Sequence, residues 1–327
     1  MAKVLVTGAT GYVGSVLTPM LAEQVSVRTL DTEAFGNSIL GAPNVEFMQG
    51  DIRDLPTLRQ AVKGVDTVVH LAGIVTDELV DMNAEYSFDV NIRGMQRLCR
   101  EAFLAGVQRF IYASSSSVYG AQDTVCNEGT EPKPQTDYAR QKLGGEGIFQ
   151  GYVDLMRCIS IRSATACGPA PRMRLDTIVN TFCAQAYFKK KITVWGGQQY
   201  RSNIHVADVA ELYCKLATVK DPETIPRGHQ IFNAVRDFHS AAQLAEMVRG
   251  VIPCEVVIDE TRVDSRSYRM ESRVSGHLRN WLGWTPSRSI VQAIRDNLAW
   301  FEAGNIKDPN SDLFFNTRRM EGIMRRG

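Results

Sequence analysis

The sequence predicts an α/β protein built on a doubly wound parallel sheet, and three observations support this prediction. Short β-branched segments alternate with helical patterns through the first half of the chain, as is typical of parallel strands joined by right-handed crossovers. The strand segments are nearly continuous in Val, Ile and Leu, as expected where helices cover both faces of a sheet. A glycine-rich turn joins the first strand to the first helix.

The elements are assigned from hydrophobic periodicity and from the turn residues that flank each segment. We expect strands at residues 3–7, 25–30, 44–48, 67–71, 109–113 and 157–162. We expect helices at residues 12–24, 55–62, about 87–105 and 138–152.

The pattern changes after about residue 170, where prolines separate shorter elements. We expect a first domain over residues 1–170 and a smaller α/β lobe, mainly for substrate, over 171–303, with segment 201–217 returning to the first domain. Residues 304–327 are polar and Arg-rich, which favours a solvated C-terminal tail or an arm that lies on a neighbouring molecule.

Composition and charge exclude several classes of protein. Hydrophobic residues make up 44% and charged residues 22% of the 327, which argues against a disordered, collagenous or coiled-coil chain. The net charge is 37 − 36 = +1, so no bulk field attracts nucleic acid or an anionic membrane. No apolar run approaches the ~20 residues that span a bilayer, and the N-terminus lacks the layout of a signal peptide.

The cysteines indicate the compartment. There are seven of them, widely scattered and without a C-x-x-C pair, so neither a disulfide framework nor a zinc site is expected. A reducing cytosol is the simpler setting. We therefore expect a cytoplasmic protein with no metal ion.

The strongest local motif is T-G-A-T-G-Y-V-G at residues 7–14. A glycine-rich loop between a strand and a helix binds the pyrophosphate of a dinucleotide, as in Rossmann-type domains. Gly8 permits the tight turn, Gly11 lets the backbone approach the phosphates, and Gly14 lets the helix pack closely on the strand. The positive end of the following helix would face the pyrophosphate. Tyr12 and Val13 lie in the same loop and are therefore included among the cofactor-binding residues.

Asp31 ends the second predicted strand. Its carboxylate can accept hydrogen bonds from the adenosine ribose and would repel a 2′-phosphate, so it favours NAD over NADP. A helix cap or turn residue is the alternative role. Arg28, three residues earlier, is expected to point elsewhere.

Further cofactor-binding residues come after the third and fourth predicted strands. Asp51 and Ile52 could border the adenine. Leu71, Ala72 and Gly73 form a segment of small and apolar residues that would let the dinucleotide lie against the edge of the sheet. His70, just before it, is expected to be a packed strand residue.

Tyr138 and Lys142 are spaced i and i+4, which places a phenol and an ammonium on one face of a predicted helix. A free tyrosine has a pKa near ~10, but a neighbouring Lys and the positive nicotinamide ring would lower it and make the phenol a usable acid or base. Four serines at residues 114–117 come after a predicted strand, at the edge where α/β proteins bind ligands. One hydroxyl there could bind a substrate oxygen, and a polar loop is the alternative.

Together these motifs resemble the extended short-chain dehydrogenase/reductase family. The resemblance rests on T-G-x-x-G-x-x-G, Asp31, G-D-I-R-D (50–54), H-L-A-G (70–73), S-S-V-Y-G (116–120), Y-x-x-x-K and R-x-N-I-H-V-x-D-V-A (201–210). It runs from residue 4 to about 300. The most similar branch is that of the NAD-dependent nucleotide-sugar epimerases and dehydratases, of which UDP-galactose 4-epimerase is the best known.

The resemblance implies roles for individual residues. Ser115 would be the catalytic hydroxyl, Tyr138 the acid/base, and Lys142 would hold the nicotinamide ribose. Asn91 matches an Asn that supports the cofactor. The implied substrate-binding residues are Ser115, Ser117, Thr165, Arg174, Arg201 and Arg266.

Two of the substrate-binding residues match arginines that bind a substrate pyrophosphate. These are Arg201 and Arg266, whose forked donors suit phosphate oxygens. Thr165 stands where the family often has Asn. Arg172 and Arg174 could add charge, or lie at the surface or in a subunit contact.

The resemblance also narrows the reaction. Family dehydratases carry Asp-Glu directly after the catalytic hydroxyl residue, and 3,5-epimerases carry a Cys two residues before the Tyr of V-Y-G. Here those positions hold Ser116 and Ser117. We therefore expect an epimerase that oxidises a nucleotide sugar to a keto sugar and returns the hydride to the other face.

Two other activities stay open. One is a nucleotide-sugar dehydrogenase, reductase or dehydratase of the same family. The other is a non-catalytic NAD-binding regulator, against which the complete set of Ser115, Tyr138 and Lys142 argues. The family also implies a homodimer, paired through the helices at 87–105 and 138–152.

Overall fold

A computed structural model of the chain describes residues 3–122, 124–261, 269–271 and 276–324. Its strands are β1 (Lys3–Thr7), β2 (Ser26–Asp31), β3 (Val45–Gln49), β4 (Thr67–His70), β5 (Arg109–Ala113), β6 (Arg157–Ser163), β7 (Thr165–Cys167), β8 (Lys191–Trp195), β9 (Tyr200–His205), β10 (Gly228–Ala234), β11 (Asp237–Ser240) and β12 (Glu255–Asp259).

The α-helices alternate with these strands through the first half of the chain. They are α1 (Gly14–Ala22), α2 (Leu55–Ala61), α3 (Asp77–Met82), α4 (Ala84–Phe88), α5 (Met95–Leu104), α6 (Asp137–Ile148), α7 (Ile178–Ala184), α8 (Val206–Thr218), α9 (Ala241–Arg249), α10 (Gly276–Leu282), α11 (Ile290–Glu302) and α12 (Asn316–Met324).

In the described part of the chain, seven strands form one sheet in the order β10-β6-β5-β4-β1-β2-β3, and every adjacent pair is parallel. Apolar clusters cover both faces, one including Leu17 of α1 and Leu212 of α8, the other including Leu58 of α2 and Leu98 of α5. The predicted doubly wound α/β sheet is confirmed. The strand order reverses between β1 and β4, and ligands bind at this switch point in open α/β sheets.

Two segments from the second half of the chain complete this layer. Helix α8 packs on α1 and on strands β4 and β5. Of the return expected over residues 201–217, the part in α8 therefore lies against the first domain, whereas residues 201–205 belong to β9 in the sheet of the second lobe. Strand β10 also pairs with β6 at the edge of the main sheet, a return that the sequence analysis missed.

A second lobe forms beside the carboxyl edge of the main sheet. It contains a three-stranded sheet, β11-β9-β7, and the parallel pair β12-β8. Its own apolar core includes Phe182, Leu244 and Ile294, from α7, α9 and α11. Within the described residues, no helix combines the length and the apolar character needed to cross a bilayer.

The helix expected over residues 87–105 is interrupted. Helix α4 runs into a π-helical segment, Asp89–Gly94, before α5 begins. Such π-helical turns often occur at functional sites. This one contains Asn91, which is described with the site below.

The C-terminal segment corrects an expectation. Helix α12 packs on its own chain, where Met320 and Met324 are buried in the apolar cluster under α3. The Arg319 Nε donates to the carbonyl oxygen of Ala34 at 2.6 Å. For α12, the expected solvated tail or arm on a neighbour is therefore wrong, because the buried face of this helix is apolar.

The close packing of α6 on β5 can be tested at two glycines. A Cβ added at Gly145 would lie 2.4 Å from the Tyr112 hydroxyl oxygen, whereas at exposed Gly147 nothing lies within 4 Å. We expect Gly145→Ala to lower the free energy of unfolding by about 1–3 kcal/mol through overpacking. Gly147→Ala, the matched control, should raise it by about 0.5–1 kcal/mol through helix propensity. Urea unfolding followed by circular dichroism measures both, and equal effects would contradict the close contact.

Candidate functional site

A cleft of about 740 Å³ opens at the carboxyl edge of the main sheet and extends to the second lobe. Most of the predicted site residues line it. They are Gly8, Gly11, Tyr12, Val13, Gly14, Asp31, Asp51, Ile52, Leu71, Ala72, Gly73, Ser115, Ser117, Tyr138, Lys142, Thr165, Arg174 and Arg201. The predicted Arg266 lies outside the described residues.

The loop between β1 and α1 leaves no room for a side chain at Gly8 or Gly14. Gly8 has φ +73°, and an added Cβ would lie 2.6 Å from the backbone nitrogen of Ala72. At Gly14 an added Cβ would lie 2.2 Å from the carbonyl oxygen of Gly8. The backbone is therefore bare where the N–H groups at the start of α1 face the cleft, which suits the close approach of a phosphate.

Asp31 is held in place by two backbone donors. Its Oδ2 accepts from Thr10 N and its Oδ1 from Glu33 N, each at 2.9 Å. A carboxylate has about four acceptor sites, so both oxygens can still accept hydroxyl protons from a ribose. Arg28 points away and donates to three carbonyl oxygens at the end of α2, as expected.

Asp51 borders the same end of the cleft. Burial opposes ionisation of its carboxyl group, but hydrogen bonds from Arg53 outweigh burial and lower its pKa below the ordinary value. The guanidinium of Arg53 also lies 4.5 Å from the centre of the Tyr86 ring. Asp51 is therefore an ionised, rigidly held group beside the cleft.

Lys142 and Tyr138 meet as the helical spacing predicted. The Lys142 Nζ donates to the carbonyl oxygen of Ala113 at 2.7 Å and lies 5.9 Å from the centre of the Tyr138 ring. Burial lowers the pKa of Lys142 to about 8, so the group is mostly protonated at neutral pH. A positive charge is thus fixed beside the phenol.

Ser115 faces the same part of the cleft. It precedes a short 3-10 turn, Ser116–Tyr119, and its Oγ accepts from Ser117 N at 3.1 Å and from the Ser117 Oγ at 2.9 Å. These contacts orient the Ser115 hydroxyl and leave its own proton available for a substrate oxygen.

Asn91 does not line the cleft, which corrects its assignment to the cofactor-binding residues. Its buried amide accepts from Ile74 N at 2.8 Å and donates to Ile74 O at 2.9 Å and to Gln141 Oε1 at 2.7 Å. It supports the loop at Gly73, where an added Cβ would lie 2.9 Å from Asn91 Oδ1. Its effect on a cofactor is therefore indirect.

A buried ion pair behind the site was missed by the sequence analysis. Glu146 accepts from Arg162 Nε at 2.9 Å and Nη2 at 2.7 Å, and from Ser114 Oγ at 2.5 Å. It ties α6, which carries Tyr138 and Lys142, to β5 and β6. One feature could have revealed it, since Glu146 continues the i, i+4 spacing of those two residues on one helix face.

The basic residues on the substrate side differ in environment. Arg174 pairs with Asp176 at 2.7 Å. Arg172 is only 5% exposed and lines the cleft, so the surface or subunit-contact role considered for it is wrong. Trp195, which the sequence analysis did not single out, also lines the cleft and is 54% exposed.

The expectation for His70 is confirmed, and two cysteines near the site in sequence are buried. His70 is buried and shares a hydrogen bond of 2.7 Å with Thr7 Oγ1. Burial lowers its pKa to about 3, so it is a neutral, packed strand residue. Cys126 and Cys167 are buried thiols whose pKa burial raises, and they are correspondingly inert.

Comparison with known proteins identifies the family. The model of the NAD dependent epimerase/dehydratase family matches residues 4–234. The chain belongs to this family. It is an enzyme of the extended short-chain dehydrogenase/reductases, and its cofactor is NAD.

Several relatives and one solved structure show the extent of the similarity. A Mus musculus dTDP-D-glucose 4,6-dehydratase and a Streptomyces lividans UDP-glucose 4-epimerase are each 27% identical, over 91% of this chain and 88% and 95% of theirs. The Sinorhizobium fredii protein y4nG is 39% identical, but the match spans 44% of this chain and 35% of that protein. MoeE5, solved with UDP-glucuronic acid and NAD, has a TM-score of 0.81 at 25% identity, covering 93% of this chain and 100% of its own.

The residues of the cleft fit NAD. The bare glycine loop would hold the pyrophosphate, Asp31 the adenosine ribose, and Lys142 the nicotinamide ribose. When bound, NAD accepts a hydride and can return it. The fit rests on the close approaches at Gly8 and Gly14, which only glycine permits.

The role of Asp31 predicts a change in cofactor preference. Asp31→Asn keeps an acceptor oxygen but removes the charge that repels a 2′-phosphate. We expect NAD to bind more weakly and NADP more tightly, so that the ratio of their Kd values shifts at least ~10-fold, about 1.4 kcal/mol. Isothermal titration calorimetry measures both constants. Asp54→Asn, at the exposed start of α2, is the control, and an unchanged ratio for Asp31→Asn would contradict the assignment.

The buried Lys142 predicts a pH-dependent stability. Its pKa falls from 10.5 in the unfolded chain to about 8 in the fold, so below pH 8 the fold carries the full penalty of a buried charge. Cofactor-free Lys142→Met should therefore be more stable than the parent at pH 6.5. That gain should shrink as the pH rises from 8 towards 10.5, because the folded parent then holds an uncharged Lys142.

Urea unfolding at pH 6.5 and 9.5 measures this difference, with exposed Lys63→Met as the control. A Lys142→Met protein that is equally destabilised at both pH values would contradict the penalty. It would show that the hydrogen bond from Lys142 to Ala113 O contributes more to stability than the burial of the charge costs.

Proposed function

We propose that the protein is a nucleotide-sugar epimerase, which oxidises a sugar hydroxyl to a ketone and reduces it again from the opposite face. The observation that carries this proposal is the hydroxyl pair of Ser115 and Ser117, in contact at 2.9 Å. Serines stand where the resemblance to the family's dehydratases would require Asp and Glu after Ser115. Hydroxyls at these positions can bind a sugar oxygen but are poor groups for expelling water.

The side chains at the site support transient oxidation. Ser115 holds the reacting sugar oxygen, and Tyr138 accepts its proton as the C–H hydride leaves. The ammonium of Lys142 stabilises the negative charge that develops on the Tyr138 oxygen. For reduction the same proton returns from Tyr138 to the sugar oxygen, so the enzyme ends unchanged.

The substrate side of the cleft suits a sugar joined to a diphosphate. Arg201 on β9 lines it, and a guanidinium binds phosphate oxygens through two parallel N–H groups. Thr165, Ser117 and Arg174 line the same cleft, and in the proposed binding mode they contact the substrate with Arg201. MoeE5, of similar structure, was solved with UDP-glucuronic acid and with UDP-glucose, which supports the same substrate class here.

We also propose a homodimer that pairs through α5 and α6. The segment from α4 to α5 exposes apolar side chains, with Phe88 40%, Phe103 38% and Leu104 63% exposed. These side chains are available for contact with a second copy of the chain, as the pairing implied by the family resemblance requires.

The reaction can be identified from its products. NAD-loaded protein is incubated with UDP-glucose and with UDP-glucuronic acid, and nuclear magnetic resonance identifies the sugars formed. We expect a C4 epimer with no steady-state change in absorbance at the reduced nicotinamide band. A 4-keto-6-deoxy sugar would indicate a dehydratase, stoichiometric NADH a dehydrogenase, and no turnover across UDP-, GDP-, CDP- and dTDP-sugars a regulator. Each of these would overturn the proposal.

The role of Tyr138 predicts a loss of turnover without a loss of cofactor. Tyr138→Phe removes only the hydroxyl, so kcat should fall by about 10²–10⁴-fold while NAD binding stays within about twofold. Tyr152→Phe, just after α6, is the control and should keep the parent kcat. Parent-like turnover by Tyr138→Phe would refute the assigned base.

A further inference from the structure

Arg172 is a buried cation without an anionic partner in the described structure. Its side chain is 5% exposed and lines the cleft. The Nη2 donates to the amide oxygen of Asn316 at 2.5 Å, and the buried Nε has no hydrogen-bond partner among the described residues. Buried polar groups are almost always hydrogen-bonded, and a buried charge is costly when it is not paired. The site therefore lacks an acceptor that a ligand would supply.

The position of Arg172 indicates what that ligand is. Its backbone nitrogen donates to the Oγ of Ser15, in the first turn of α1, at 3.2 Å. Its guanidinium lies 3.8 Å from the centre of the Phe35 ring, in the loop after Asp31. The backbone of Arg172 is thus fixed beside the first turn of α1, and its guanidinium lies over the loop that follows Asp31. A phosphate of the cofactor would pass between these two elements.

Electrostatics agrees with this position. Burial and the neighbouring Arg174 lower the pKa of Arg172 to about 9, while Asp176 and Asp31 act in the opposite direction. The side chain stays protonated at neutral pH. A phosphate oxygen in the cleft would therefore meet a positive charge on a largely buried side chain and could form a charge-assisted hydrogen bond with it.

Helix α12 holds this cation in place. Besides Asn316, which accepts from the guanidinium, the helix contributes Met320 to the wall of the cleft and an Arg319 bond to Ala34 O in the Phe35 loop. The start of the helix is fixed by Asn316 N, which donates to Asp176 Oδ2 at 2.7 Å. The C-terminal helix therefore contacts both the cation and the loop beside it.

We propose that Arg172 binds a diphosphate oxygen of NAD and that Asn316 is its positioning residue, so that release of NAD requires α12 to loosen. The proposal rests on NAD as the cofactor and not on epimerisation, so a failure of the proposed reaction leaves it standing.

The first test compares ligands that contain and lack a diphosphate. Arg172→Met keeps the apolar stem but removes the charge. In calorimetric titrations of cofactor-free protein we expect the Kd for ADP-ribose and for NAD to rise at least 10-fold, with adenosine unchanged. Arg172→Lys should recover part of the lost affinity, since it restores the positive charge but not the parallel N–H donors of a guanidinium.

Three results would overturn this assignment. An equal loss for adenosine would place the guanidinium on the base or the ribose. A loss confined to NADP would place it on a 2′-phosphate. Unchanged binding of every ligand, together with a lower melting temperature of the cofactor-free variant, would make Arg172 a structural residue. We expect instead an equal or higher melting temperature, because the unpaired buried charge is gone.

The second test addresses Asn316. The rate at which NAD leaves the holoenzyme is measured by stopped-flow exchange against excess ADP-ribose. Asn316→Ala should release NAD at least 10-fold faster, whereas Arg318→Ala, on the same helix with its guanidinium over Phe315, should not. In an Arg172→Met background, Asn316→Ala should add no further effect. An unchanged release rate, or a full effect that persists in that background, would refute the positioning role.

Discussion

The site depends on the close approach of three backbone segments at the point where the strand order reverses. The carbonyl oxygen of Gly8, the start of α1 and the turn after β4 lie so near one another that a Cβ at Gly8 or Gly14 would clash with backbone. Backbone cannot move aside as a flexible side chain can, so this contact fixes both the loop and the gap beside it. The cleft is the space left by that contact, and it is lined by Ser115, which follows β5, and by Tyr138 and Lys142 on α6.

Around this backbone contact the protein buries several charged side chains, although a charge is more stable in water. Glu146 and Arg162 neutralise each other and tie α6 to the sheet. Lys142 and Arg172 are bound instead to a carbonyl and to an amide oxygen, neither of which carries a full charge. The paired ions hold two elements together, whereas the cations without a charged partner can donate hydrogen bonds to oxygen atoms of a ligand or stabilise a negative charge beside them.

Membership of the family rests on motifs spread along the chain, whereas the reaction depends on a few side chains beside the substrate. The glycine loop, Asp31 and the Tyr138–Lys142 pair are the residues to which we assign NAD binding and the oxidation step of the proposed reaction. In that proposal, the fate of the oxidised sugar depends on Ser116 and Ser117. Relatives with dehydratase and epimerase activity are each 27% identical to this chain, so overall similarity does not separate the two outcomes.

Much of the site could be predicted because its motifs are local. The T-G-A-T-G-Y-V-G loop, the i, i+4 spacing of Tyr138 and Lys142, and the strand before Asp31 each lie within a few residues, where backbone geometry is set by the local sequence. Only the tertiary structure decided the contacts between distant segments. It brought Glu146 to Arg162, and Asn91 to Ile74 in place of the cofactor.

The C-terminal helix shows most clearly why the rest could not be predicted. Residues 316–324 are polar and Arg-rich, which by itself favours solvent. In the fold, Met320 and Met324 find an apolar surface made by other elements, and Asn316 meets Arg172 across 144 positions of sequence. The sequence by itself determined the dinucleotide-binding architecture and the spacing of the proposed catalytic pair, since these depend on local periodicity. Which end of the chain closes the cleft depends on a surface that exists only after the sheet and its helices have assembled.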